Sequence, residues 1–371
     1  MWPAGDENDA VAQYRLILPA QALAAQGADV VYNYRGPTLL WDQKWDSSDG
    51  KMPPPWVNIM GLAKVPDADV IVIQRPALRF WAQVIPHIQA AGIKVVVDVD
   101  DMFAHIDDQN VAKAAYATKG KQSEQQGNEW IDMACRQADL VTCTTHALAK
   151  RYGFGHAKVI PNYVPERYLV AFGYGPHLMG WSGSTATHPN DLQVTGGAVQ
   201  DALRGSDWQF RVIGTGARVK DLLSLEDDPQ TSGWVEFADY PLELARLSIG
   251  VVPLTDTIFN RAKSALKLME MTACGAAVVA SPTPDNERVN ALGIGVLAST
   301  PQQWRKRLTS LIRNDEYRLD LAGRGKDVMR SLTYEGNCDR WWDAWSSIPS
   351  NVTRREAAIE RLDRLAASVN N

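Results

Sequence analysis

Within FNRAKSALKLMEMTACGAAVVAS, residues 259–281, Lys263, Lys267 and Glu270 recur at i, i+4 and i+7, one stripe of a helix. Leu266, Met269 and Ala273 form a second stripe suited to a sheet. Two cations beside a helix start, where free N–H groups and the positive dipole end collect and Ser264 can cap, suit a diphosphate. A carboxylate two turns in, Glu270, can accept hydrogen bonds from a pair of ribose hydroxyls. The same spacing also fits a solvated Lys/Glu face, worth roughly 0.2–0.5 kcal/mol per ion pair.

A second constellation, KVVVDVDDMFAHIDD (94–108), ends a β-branched run with Asp98, Asp100 and Asp101 and then carries His105. Paired carboxylates of this D-x-D kind can hold a divalent ion against a diphosphate. They can also cap the following turn. The diphosphate-type segment follows about 160 residues later, in a separate series of strands, which disfavours the metal reading. Between the two, MGWSGSTATHPNDL (179–192) offers Gly183 and Ser184, whose backbone could approach phosphate oxygens, and His188 in a loop. VIGTGARV (212–219) has Gly214, Thr215 and Gly216, a partial G-x-G without the third glycine of a dinucleotide fingerprint.

The elements that must position these residues read as alternating strands and helices. YRLILPAQALAAQGADVV (14–31) predicts helix, turn and strand; ADVIVIQRP, FWAQVIPHIQAAG, IKVVVDVDD, ADLVTCTT and KVIPNYVP continue the alternation. A second series, LMGWSGS, WQFRVIGTG, GWVEFADY, IGVVPL and AAVVAS, begins after AFGYGPH (171–177). Alternation of this sort means parallel sheets with crossover helices. The predicted fold is α/β, two Rossmann-like doubly wound domains facing across a cleft: 1–172, 173–335, and C-terminal helices 336–371 packing across both. Such sheets bind ligands at the carboxyl ends of their strands.

With 45% hydrophobic and 22% charged residues over 371, the chain is expected to be globular. It shows no apolar run approaching eighteen residues and no signal-peptide pattern, so no transmembrane segment is expected. Cys135, Cys143, Cys274 and Cys338 lack C-x-x-C spacing and read as reduced thiols in a cytoplasm. Net charge is −5, and residues 1–170 hold 16 Lys and Arg against 19 Asp and Glu. Neither half is a basic nucleic-acid platform, although a local groove can be positive.

The KSALKLMEMTACGAAVVAS wording resembles the donor motif of retaining GT-B glycosyltransferases of the family-four type, a Glu-x7-Glu followed by A-x-G-x-P-V-V-A. Glu270 matches the second glutamate, which in the family holds the donor ribose; Ala262 stands at the first and Ala277 at the proline. The resemblance implies a transferase taking a nucleotide sugar, a UDP-sugar first, with no cofactor or metal. It places Gly183, Ser184, His188, Thr215, Arg218, Lys263, Ser264, Lys267 and Glu270 at the donor. Asp100, Asp101 and Lys267 would be catalytic, with Gly5, Asp98 and His105 on the acceptor side. The family opens with a full strand and a glycine loop, whereas here only MWPAGDEN precedes the first helix, a strand shortened to Met1–Ala4. VDVDD and KSALK-x-x-E also resemble chains encoded by bacteriophages, which adds modified DNA bases to glycans and proteins as acceptors. A sugar-nucleotide epimerase and a non-catalytic nucleotide-sugar-binding protein are the alternatives.

Overall fold

The computed structural model describes residues 1–5, 8–33, 39–41, 59–64, 66–116, 127–169, 177–348 and 356. An antiparallel pair, β1 (Leu39–Trp41) and β2 (Ile59–Leu62), precedes a parallel sheet in the order β3 (Val70–Gln74), β4 (Lys94–Val99), β5 (Leu140–Cys143), β6 (Ala157–Val159). Helices Arg79–Ala90, Gly127–Gln137 and His146–Tyr152 lie between these strands. Trp2 adds one parallel bridge beside β3: its N–H donates to Val72 O at 2.8 Å and Gln74 N–H to Trp2 O at 3.1 Å.

The second sheet is also parallel. It comprises β7 (Leu178–Ser184), β8 (Gln209–Thr215), β9 (Gln230–Thr231), β10 (Ile249–Val252), β11 (Ala277–Ala280) and β12 (Val296–Leu297), ordered β12-β11-β10-β7-β8-β9.

Both faces of the first sheet are covered, as its unbroken apolar runs require. Alternate residues Val95, Val97 and Val141 pack with Val84, Ile88 and Ile131. Their neighbours Val96 and Leu140 face the other way, onto Leu16 and Leu23 of the N-terminal helix and Trp341 and Trp345 of the helix Asp339–Ser346. The helix Asp339–Ser346 therefore returns from beyond the second sheet to cover the first. The expected boundary near 172 and, apart from Glu356, residues 349–371 of the expected C-terminal helices lie outside the described residues.

Three local expectations are corrected. ADVV (28–31) forms no strand; the terminal ammonium of Met1 donates to Val31 O at 2.6 Å. GWVEFADY is not a strand. Gly233, at φ +70, turns the chain away after a single bridge to Gly214, and Pro241 near the start of Tyr240–Leu244 favours helix. Lys263, Lys267 and Glu270 do not share one helix: Lys263 lies in a break between Ile258–Arg261 and Leu266–Ala273. Thr145 Oγ1 donates to Ala262 O at 2.9 Å, capturing the carbonyl that residue 266 would use in a continuous helix. No helix among the described residues is long and apolar enough to cross a membrane.

Candidate active site

The carboxyl ends of the two sheets meet. On the C-terminal side, β7 and β8 run in register with Gly183 opposite Gly214 and Ser184 opposite Thr215. Gly214, at φ +115, admits no Cβ, which would collide with the Gly183 carbonyl. A Cβ on Gly183 would come within 2.7 Å of the Trp181 ring and 3.1 Å of Lys267 Nζ. The bare backbone thus lets Lys267 cross over it and donate to Ser182 O. Burial lowers the Lys267 pKa to about 8, with Glu270 opposing the shift.

Glu270 is 3% exposed. The Tyr14 hydroxyl donates to its Oε1, and Tyr240 donates to Oε2 at 3.4 Å while lying 2.7 Å from Ser182 Oγ. Tyr168 sits 2.7 Å from the Tyr14 hydroxyl. Burial raises the Glu270 pKa to about 7, against the pull of the Tyr14 hydrogen bond and Lys267. Tyr14 lies in Gln13–Ile17, which is π-helical inside an otherwise α-helical stretch, a widening that recurs at functional sites. The next residue, Arg15, points to the other sheet, where it pairs with Asp98 at 2.8 Å and contacts Ile160 O and Asn162.

The loop after β7 is organised by its own polar groups. Thr187 and His188 N–H donate to Ser184 O, and Thr185 N–H to Thr215 O. His188 Nδ1 lies 2.7 Å from Asp191, whose other oxygen accepts from Thr255 N and Asn260 Nδ2. Burial lowers the His188 pKa to about 4, with Lys267 and Lys263 adding to the effect, so the ring is neutral at pH 7.

On the N-terminal side, Arg75 at the end of β3 grips Asp100 through Nε at 2.5 Å and Nη2 at 2.6 Å. Asp101 lies 3.4 Å from Arg75 and 3.6 Å from Lys263 of the opposite half. The seam is closed by Asn110 Nδ2 donating to Thr187 O and Val111 N–H donating to Ala186 O. Asp107, Asn110, Thr187, Asn190, Asp191 and Asn260 border a hollow of only about 30 Å³ there. Each aspartate of DVDD already faces a cation, Arg15, Arg75 or Lys263. Among the described residues no group of three His, Cys, Asp or Glu is placed to hold a metal.

The structure thus gathers Gly183, Ser184, His188, Lys263 and Lys267 along one edge and Asp100 and Asp101 against it. Others are placed differently. Ser264 is not the cap: Ala265 N–H donates to Asp285, and Ser264 Oγ accepts from Asn162. Asp98, 1% exposed, is saturated by Arg15 and Thr142 and does not face the seam. Gly5 makes room for Asp9, the cap of the first helix. His105 and Arg218 are exposed, whereas Thr215 stays on the edge, its Oγ1 donating to Ser184 Oγ at 2.8 Å. Ala262 is 1% exposed and packs in the N-terminal core. A carboxylate there would be buried. Sequence reasoning missed Tyr14, Arg15, Arg75, Asp191 and Tyr240; only Arg75, at a strand's carboxyl end before Pro76, carried a usable signal.

Residues 177–314 match the model of the family glycosyl transferases group 1. No curated protein matches the sequence. Sucrose-phosphate synthase (tll1590) from Thermosynechococcus elongatus superposes with a TM-score of 0.55 at 14% identity, over 92% of this chain and 93% of that one. Anabaena Alr3699/HepE, solved with UDP and glucose, gives 0.52 at 14% over 75% and 77%. The pneumococcal O-GlcNAc transferase GtfA, with UDP and GlcNAc, gives 0.50 at 14% over 70% of this chain. The chain spans 53% of GtfA's length. With both sheets parallel and joined at their carboxyl ends, the chain has the GT-B fold, and its residues 177–314 are similar to glycosyl transferases group 1.

Proposed function

We propose that the chain is a glycosyltransferase that moves a sugar from a nucleoside diphosphate, a UDP-sugar first, to a hydroxyl acceptor with retention. Residues 173–335 take the donor, residues 1–172 take the acceptor, and the helices after 336 join them. The observation that carries this reading is Lys267, held across the Gly183 backbone beside His188, with Lys263 from the preceding break. The two ammonium groups face the edge where a diphosphate would lie. The solved structures above that hold UDP with glucose or GlcNAc support a UDP-sugar.

In the proposed reaction the acceptor oxygen bonds the anomeric carbon as the bond from that carbon to the diphosphate breaks. The electron pair leaves with the diphosphate, which also takes the acceptor proton. Lys263 and Lys267 stabilise the charge that grows there. Neutral His188 adds no repulsion to these cations. Glu270 meets the ribose after Tyr14 yields its place.

Thermal unfolding with UDP, GDP and ADP, beside a Lys267→Ala variant, tests the site. A ligand at about 100 times its Kd adds roughly 2.7 kcal/mol. A shift for one nucleotide in the wild type alone supports the reading, and no shift for any of them sinks it. Incubation with the sugar conjugate then reads the chemistry: free nucleotide means transfer or hydrolysis, an epimer means isomerisation. The buried Ala262 favours a second reading, a non-catalytic nucleotide-sugar binder, which predicts binding without turnover on glycan, protein or hydroxymethylated DNA acceptors.

A further inference from the structure

Arg75 has φ +45, a left-handed backbone that a bulky L-residue rarely adopts. Such conformations persist where the surroundings over-determine them, and they cluster at functional sites. Here the surroundings can be named. The Arg75 N–H donates to Asp98 O at 3.0 Å, its carbonyl accepts from Ala77 N at 2.6 Å, and its guanidinium lies over the Phe103 ring at 5.2 Å.

The result is an unequal division of two adjacent carboxylates. Asp100 receives the full fork at 2.5 and 2.6 Å. Asp101 receives only long contacts, at 3.4 Å from Arg75 and 3.6 Å from Lys263 across the seam. A planar guanidinium can pin one carboxylate bidentately and still touch a second; a lysine ammonium cannot form that fork.

We propose that Arg75 is a positioning residue, which fixes Asp100 and leaves Asp101 as the movable carboxylate that exchanges Lys263 for the acceptor hydroxyl when the donor diphosphate takes the lysine. This rests on the donor reading above. Asp101 accepts a hydrogen bond from the hydroxyl and aims its oxygen at the anomeric carbon, while the proton still ends on the departing diphosphate. Binding of the donor thereby prepares the acceptor side.

The test measures UDP release from UDP-glucose and UDP-N-acetylglucosamine, and UDP affinity by calorimetry, for wild type, R75A, R75K, D100A, D101N and R75A/D100A. Expected for R75A is a kcat lower by on the order of 10²-fold, with KM and the UDP Kd within about twofold, the pattern of an interaction made only in the transition state. The double variant should be no slower than R75A, and R75K should recover only a fraction of the rate. D101N should be as slow as R75A yet bind UDP more tightly, because Lys263 is released. Since it leaves the Arg75–Asp100 pair intact, it also answers the case in which R75A fails to fold. An R75A with wild-type kcat, additive losses in the double variant, or full recovery by R75K overturns the proposal. If the wild type neither binds UDP nor releases it, the donor reading fails first and takes this inference with it.

Discussion

Asp98 and Asp100 stand two residues apart at the end of one strand, and each meets an arginine bidentately, yet the two pairs belong to different kinds of structure. Arg15 and Asp98 are both 1% exposed, and Thr142 and Asn162 complete their hydrogen bonding. Arg75 and Asp100 are 17% and 12% exposed and adjoin a third and a fourth charge, Asp101 and Lys263. A buried pair with both carboxylate oxygens engaged and no exposure has nothing left to offer a ligand. A half-open cluster with long contacts does. Chemistry on this chain is therefore to be sought where ion pairs are incomplete rather than where they are strongest.

The comparison breaks most sharply at the buried pair. Arg15→Ala or Asp98→Ala leaves an uncompensated charge in the core and should cost about 3–5 kcal/mol, seen as a lowered midpoint in urea unfolding. Asp100→Ala should cost under half of that. Equal losses would mean that both pairs are structural. Next in size is Lys267→Ala, which should lower UDP-sugar turnover by on the order of 10²-fold and abolish the UDP-induced rise in Tm.

Two pH experiments sharpen the picture at smaller scale. Lys267, with its pKa lowered to about 8, loses its charge above that pH, and Glu270, raised to about 7, gains a proton below it. UDP affinity measured by calorimetry should peak between pH 7 and 8 and fall by up to about tenfold per unit on either side. His188, lowered to about 4, should leave no inflection in that range. The last test concerns stability alone. Glu270 is raised from 4.5 to about 7 on folding, so its contribution is fully present below pH 4.5 and is lost as the pH rises towards 7. The loss is on the order of 1 kcal/mol per unit. Glu270→Gln should flatten the unfolding free energy against pH across that window, and an unchanged slope would place the titration elsewhere.

Much of this was readable beforehand at the level of pattern. β-branched runs such as KVVVDV and GAAVVAS became parallel strands, and Lys267 and Glu270 stand one turn apart on the helix that the spacing predicted. The break before that helix was not readable, because it depends on Thr145 and Asn162, more than a hundred residues earlier in the chain. Ser264 reads as a cap locally and serves as an acceptor for Asn162 globally. The role of Tyr14 was equally hidden: its partner Glu270 is 256 positions away, and the π-helical turn in which it lies has no local signature among ordinary helix formers.

From the sequence alone came the alternation of strands and helices, the two-sheet α/β plan and the lysine–glutamate edge of the second sheet. These depend on periodicity, and periodicity is a property of neighbours along the chain. Only the tertiary structure decided which cation each carboxylate meets: Arg15 for Asp98, Arg75 for Asp100, and Lys263 shared with Asp101. That division depends on where two separately folded sheets bring their carboxyl ends together, and charges attract across any sequence separation once burial removes the water between them.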